Sequence, residues 1–253
     1  MQRGIRRSAK PLAACLALLG GLGQLFAFDQ PLLRANASAG QAEPGLERAV
    51  SRFNTIAPPA YRAFRRLEGG LTTSSRRGWL EAWTEYVPGR GFTYEVVGEG
   101  GHEYVRNKVL RNLLSSEQDL IARGQPLRAP LVPRNYEFAD GGVMDGGLHR
   151  IVLKPVRKSD GIINGTLLMD PAAGSLVRLE GRLQKSPSFW VRDVDVTWRY
   201  ANLGGHDLPV EMISAGRVRL LGSSTFRMSY DYVTLDGRPI SDGMKSTLRE
   251  QRQ

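Results

Sequence analysis

The sequence predicts a mainly β protein with two or three helices, an α+β chain built on one strongly curved antiparallel sheet. The architecture expected is an unclosed β-barrel with the helices packed on its concave face. Three observations predict it. Two segments alternate apolar and polar residues with period two. In one, Trp190, Val194, Val196, Trp198 and Tyr200 share a face; in the other, Phe226, Met228, Tyr230 and Tyr232 alternate with Arg227, Ser229 and Asp231. One apolar and one polar face is what an antiparallel sheet wet on one side requires. Short runs rich in aromatic and β-branched residues also recur between Gly, Pro and Ser clusters. Finally, residues 102–124 carry helical periodicity.

In chain order, the first element is a helix. Pro44 suits a first helical turn, Leu46, Val50 and Phe53 fall on one face, and Pro58-Pro59 ends it. "AYRAFRRLEG", "RGWLEAWTEY" and "GFTYEVVGEGG" then read as a three-stranded meander. His102 to Gly124 is the clearest helix. Val105, Val109, Leu110, Leu113 and Leu114 form its apolar stripe, and Arg106, Lys108 and Arg111 fall mostly away from it. Gly124 is a fitting C-cap and Pro126 prevents resumption, while Ser115-Ser116 marks a place for a break in two.

From Pro133 onward the chain turns to strands. "NYEF", "HRIVLKPV", "GIINGTLLMD" and "SLVRLEGRL" come first, the last two flanking the turn "PAAG". "FWVRDVDVTWRY", "LPVEMISAGRVRL" and "SSTFRMSYDYVTL" follow. "ADGGVMDGG" (Ala139 to Gly147) reads as a flexible hairpin loop inside a longer loop, "PLRAPLVPRNYEFADGGVMDGG". The sum is about nine or ten antiparallel strands in chain order.

The N-terminus supplies an address. Arg3, Arg6, Arg7 and Lys10 precede an apolar run from Pro11 to Phe28, and small residues follow at Ala35-Asn36-Ala37 and Ala37-Ser38-Ala39. Positive, then apolar, then small is the layout of a secretory signal. Leu12-Ala13-Ala14-Cys15 spells a lipoprotein box, yet the apolar run begins at the box and continues beyond it. A cleaved signal is therefore the first reading, ahead of a retained anchor and a lipoprotein. All three place the remainder outside the cytoplasm, in the periplasm. The chain divides into a signal or anchor at 1–39, a single domain at 40–240 and a polar C-terminal tail at 241–253.

Charge and cysteine content narrow the function. The chain carries a formal +10. Residues 1–39 hold Arg3, Arg6, Arg7, Lys10 and Arg34 against Asp29, which is +4, so +6 stays with the domain. A basic protein suggests nucleic acid, but export removes that partner and leaves anionic lipid surfaces or a solvated arginine-rich face. Cys15 is the only cysteine. Beyond the signal there are thus no disulfides, thiol nucleophiles or Cys-ligated zinc.

Catalytic motifs do not emerge. His102, His149 and His206 lie far apart without metal-site spacing. There is no G-x-S-x-G elbow, and "VGEGGHE" has Glu103 where a dinucleotide fingerprint needs glycine. Asp140 and Asp145 are too few oxygens for a calcium loop. Asp193 and Asp195 read as the wet side of a strand, and Asn164-Gly165-Thr166 as a chance sequon. No catalytic residue, metal or cofactor is expected.

This arrangement resembles the outer-membrane lipoprotein-carrier superfamily (LolA/LolB-like). The resemblance rests on the export signal, the starting helix, the meander opening "YRAFRRLEG", the helix "EYVRNKVLRNLL" and the strand–turn–strand "GTLLMDPAAGSLVRLEGRL" with its D-x-x-x-G turn. It covers roughly residues 44–235. It implies an unclosed barrel with a helical lid that binds acyl chains of lipids or lipoproteins. The long loops depart from the plain carrier pattern. The apolar face of the strands has two readings. It is either a packed core or a cavity lined by Trp190, Val194, Val196, Trp198, Phe226 and Met228, with Val109 and Leu113 from the helix. The expected partners are lipid or lipoprotein acyl chains, and a membrane surface or an inner- or outer-membrane protein. An envelope sensor of the same fold is the alternative.

Overall fold

Alternation governs the strands in the structure as it does in the sequence. In the computed structural model, which describes residues 50, 58–125, 130–186 and 191–250, Tyr61, Ala63, Arg65 and Leu67 are buried while Arg62 and Arg66 are exposed. This strand, β1 (Tyr61–Leu71), opens a meander with β2 (Arg77–Val87) and β3 (Gly91–Gly101). A helix α1 follows, made of Glu103–Val105, a π-helical segment Arg106–Leu110, and Arg111–Ala122. The remaining strands are β4 (Tyr136–Val143), β5 (His149–Pro155), β6 (Ile163–Asp170), β7 (Ser175–Leu183), β8 (Val191–Leu203), β9 (His206–Val218), β10 (Gly222–Leu235) and the short β11 (Arg238–Pro239). Helix α2 (Asp242–Glu250) ends the described chain.

All eleven strands belong to one antiparallel sheet, in the order β3-β2-β1-β10-β9-β8-β7-β6-β5-β4, with β11 beside β10. The sheet does not close. Its edges are β3 and β4, and the chain passes from one edge to the other through α1. Chain order alone is broken at one junction, where β10 returns to pair with β1 from Tyr61↔Leu235 to Leu71↔Ser224. The expectation of strands in simple chain order is corrected there. The last long strand offers both an apolar face and free backbone groups to an otherwise unpaired edge. Bulges interrupt the ladders at Arg62/Ala63, Glu81/Ala82, Asp140/Val143 and Arg192/Asp195. Each bends its strand and lets a long sheet curl.

Three local expectations change. The helix is continuous through Ser115-Ser116, where the Ser115 hydroxyl donates back to the Asn112 carbonyl at 3.2 Å. Its irregularity is the π segment instead, where α1 comes down on glycines of the sheet. A Cβ at Gly78 would stand 3.2 Å from Val105 Cβ, and one at Gly69 would stand 3.5 Å from Leu110 Cδ2. Residues 139–143 are not loop but the second half of β4. Third, Asp193 adopts φ 50 in the β8 bulge. That extra residue turns Val191 to the buried side, 3 % exposed, so strict alternation fails at the start of β8. Trp190, like the N-terminal signal and the Leu46–Phe53 helix apart from the buried Val50, lies outside the described residues.

The core lies on the face that α1 covers, here the inner face. Among the described residues α1 packs on β1, β2 and β3, and α2 packs on β8. Within the C-terminal stretch read as a polar tail, α2 places Leu248 in the core. No helix among the described residues is long and apolar enough to cross a membrane.

Candidate functional site

Strand register builds the inner face. Leu80 pairs with Leu67, Leu67 with Met228, and Met228 with Met212. Met212 pairs with Trp198, Trp198 with Leu179, Leu179 with Leu167, and Leu167 with Ile151. One apolar belt thus runs across the sheet from β2 to β5, and every member is buried. Beside it runs a second row in which a pair of glycines stands at each end. Gly78, Gly69, Phe226, Ser214, Val196, Gly181 and Gly165 follow one another in register. The glycines at one end admit α1; at the other they let β6 and β7 approach.

The candidate residues fall into this layer. Val194, Val196 and Trp198 on β8, Phe226 and Met228 on β10, and Val109 and Leu113 on α1 are all buried in one apolar cluster. Trp198 is the least covered, at 5 %. The strands bring Met228 and Trp198 to either side of Met212, and Phe226 and Val196 to either side of Ser214.

Sequence reasoning passed over the charges in that layer. Arg65 is fully buried on the inner face of β1, and Glu117 is buried on the apolar side of α1. Arg65 Nη1 donates to Glu117 Oε2 at 2.7 Å and Nη2 to Oε1 at 3.1 Å, and Nη2 also donates to the Tyr61 hydroxyl at 2.7 Å. The guanidinium lies 4.9 Å from the Phe92 ring centre and 4.7 Å from that of Tyr230. Arg65 Nε has no hydrogen-bond partner among the described residues. Burial pushes the Glu117 carboxyl up, and the charge and hydrogen bonds of Arg65 offset part of that rise. For Arg65, burial disfavours the charge, and Glu117 together with Tyr61 and Tyr230 outweighs it. The pair pins α1 to the sheet at one point and in one register. Its signal was present in the sequence: Arg65 sits at an inward position of an alternating strand, and Glu117 follows Leu113 by one helical turn. Further out, Glu99 at the edge strand takes Arg106 and Arg111 of α1, each at 2.7 Å.

The outer face is polar and aromatic. Glu211, though outward, is covered by Arg199 and Arg227 from the flanking strands. Asp195 accepts a bidentate pair from Arg182 at 2.8 and 3.0 Å, so the Asp193/Asp195 stretch is the wet side it was read to be. Arg62 and Arg66 stack over Trp83 and Trp79. A groove of about 460 Å³ opens on this face between Trp79 and Ile213, with Arg77 and Arg227 at its sides.

The histidines are not gathered. His149 meets Asp140 at 2.7 Å on β5 and β4, and that contact together with the Gly142 N–H holds the Asp140 carboxyl below its ordinary value. His206 on β9 stands 4.0 Å from Asp236, just past β10, and His102 lies at the start of α1. Among the described residues no cluster of His, Cys, Asp or Glu is able to hold a metal ion.

Fold and site together define a class: one unclosed antiparallel sheet with an apolar inner face and a helix fastened across part of it. No family model matches the sequence, and no curated protein matches it either. Two solved structures match it at low similarity. One is a DUF1329 family protein from Desulfovibrio piger, 12 % identical, with a TM-score of 0.39 over 79 % of this chain and 94 % of that one. The other is a LolA superfamily protein from Nitrosomonas europaea, 11 % identical, with a TM-score of 0.36 over 81 % of this chain and 97 % of that one.

Proposed function

We propose that this chain is an exported, periplasmic, non-enzymatic binding protein that holds a lipid or lipoprotein acyl chain against the inner face of its sheet. The observation that supports this reading is the apolar belt. It continues from Met212 through Trp198, Leu179 and Leu167 to Ile151, beyond the strands on which α1 packs. Trp198, Val194, Val196, Phe226 and Met228 are the cavity-lining residues in this reading, with Val109 and Leu113 on the lid side. Burial of methylenes drives binding, each contributing about 0.8 kcal/mol. Ten methylenes then supply roughly 8 kcal/mol before the cost of ordering the chain. No hydrogen-bonding group is needed in the belt, because an acyl chain presents none. Helix α1 acts as the lid, and the Arg65–Glu117 pair sets its seated position. A role in outer-membrane lipoprotein sorting follows from such a cargo.

Mass spectrometry of the full chain, purified from envelopes without detergent and sprayed under native conditions, tests this. Mass increments of acyl lipids that disappear on organic extraction are expected. A protein that carries no lipid and takes up no acyl chain offered in excess contradicts the reading.

A further inference from the structure

The turn between β9 and β10 breaks two rules at one residue. Leu220 is 94 % exposed, and its backbone sits at φ 66. A left-handed position favours glycine or asparagine, and a bulky residue there is strained. An exposed leucine at the same position gains nothing from the fold. Leu221 beside it is 37 % exposed. Residues that violate local preference without a folding benefit mark sites kept for another purpose.

The charges around this tip share one sign. Arg217 on β9 stands opposite Arg192 on β8 in register, both exposed, a like-charge pair that the sheet alone disfavours. The β1–β2 turn lies against the same tip, since the Thr72 N–H donates to the Ser223 carbonyl at 2.9 Å. That turn adds exposed Arg76 and Arg77. Among the described residues, none of these four arginines forms an ion pair. Asp193, exposed in the adjoining bulge, is the nearby carboxylate in sequence. The opposite end of the sheet carries exposed residues of both signs, with Arg90 and Arg238 among the acidic turns. Exposed Val143 and Met144 stand there beside Asp140 and Asp145, with Asp170 and Asp236 at neighbouring turns.

We propose that the β9–β10 tip is a docking surface for an anionic lipid bilayer. Leu220 and Leu221 enter the acyl boundary, and Arg76, Arg77, Arg192 and Arg217 lie on lipid phosphates. Exposed leucines flanked by arginines of the neighbouring strands and turn match a surface that is apolar inside and anionic at its face. Docking by this end presents the start of α1 to the bilayer, since the His102 N–H is bonded to the Arg77 carbonyl at 2.7 Å. The proposal stands apart from the cargo reading, because it concerns a surface and not the interior.

The test uses the full chain with Cys15→Ser and one new cysteine carrying a polarity-sensitive dye, at Leu220→Cys or, as control, at exposed Asp145→Cys. Each is mixed with phosphatidylglycerol vesicles or phosphatidylcholine vesicles. The dye at 220 is expected to shift to the blue with phosphatidylglycerol alone and to return in high salt, while the dye at 145 stays unchanged. Arg76→Glu and Arg217→Glu are each expected to weaken vesicle affinity at least about fivefold, the change that corresponds to about 1 kcal/mol per basic residue. Leu220→Asn, which suits the left-handed turn, is expected to keep the fold's thermal stability and lose the dye-independent vesicle binding assigned to the tip. A dye at 220 that stays in water on both vesicles, or that responds equally to both, overturns the proposal. So does a dye that responds to solubilised envelope proteins and to no lipid, which makes the tip a protein-docking surface.

Discussion

Arg65 and Glu117 are the two charges that the core has to accommodate. A buried ion pair is weak evidence of net stability, but losing one partner strands the other in apolar surroundings. Glu117→Ala is therefore expected to cost about 3–5 kcal/mol, measured as a lower midpoint in urea. The paired change Arg65→Met with Glu117→Leu is expected to recover most of that loss, since it removes both charges together. A single-variant cost below about 1 kcal/mol is the size of an exposed pair and contradicts the buried assignment. The tyrosines around this pair give a pH signature. Burial pushes the phenols of Tyr61, Tyr230 and Tyr232 above the ordinary 10.0. Unfolded phenols ionise first, so this contribution is whole below pH 10.0 and is lost as pH rises from there toward the folded values. Alkaline titration is expected to show a group of phenolate signals that appear late and together with unfolding. Early, non-cooperative titration of all tyrosines contradicts it. The pair's signal was passed over, because a strand and a helix read for their apolar positions hide an arginine and a glutamate among them.

Pairs of glycines decide how the elements meet. Gly165 on β6 faces Gly181 on β7, and a Cβ at Gly165 would collide with the Glu180 carbonyl oxygen. No side chain fits there without parting the two strands. Gly165→Ala is expected to destabilise the protein by about 1–3 kcal/mol, the usual cost of overpacking, in thermal unfolding. An unchanged midpoint would show that β6 and β7 do not approach so closely. Periodicity made the strands and the stripe of α1 legible, since both patterns depend only on which face is buried. It did not reveal the π segment, the Asp193 bulge or the extension of β4 through Asp140 and Gly141. Each of these depends on where a neighbouring element sits, and glycine-rich sequence serves an extended strand edge as well as a loop. The Asp193 bulge had the largest consequence, because one inserted residue exchanged the faces at the start of β8.

The order of strands was the least legible feature. Short loops announce sequential neighbours, and they account for every pairing of the meanders. The pairing of β10 with β1 joins residues at opposite ends of the domain and leaves no local trace. It nevertheless joins the inner face, since it brings Leu67 beside Met228 and makes two sets of strands into one apolar belt. The candidates on β8, β10 and α1 came from the correct inference that alternating strands share a core. Their arrangement relative to one another required the register.

A brominated fatty acid quenches tryptophan only at short range, and Trp198 lies at the middle of the belt while Trp79 and Trp83 face outward. The most direct measurement is a titration of a variant retaining Trp198 alone, with Trp79→Phe, Trp83→Phe and Trp190→Phe, by such an acid. Saturable quenching is predicted, competed by an unbrominated chain of equal length. Unquenched Trp198 fluorescence at concentrations that saturate an ordinary lipid carrier would contradict acyl-chain binding on the inner face.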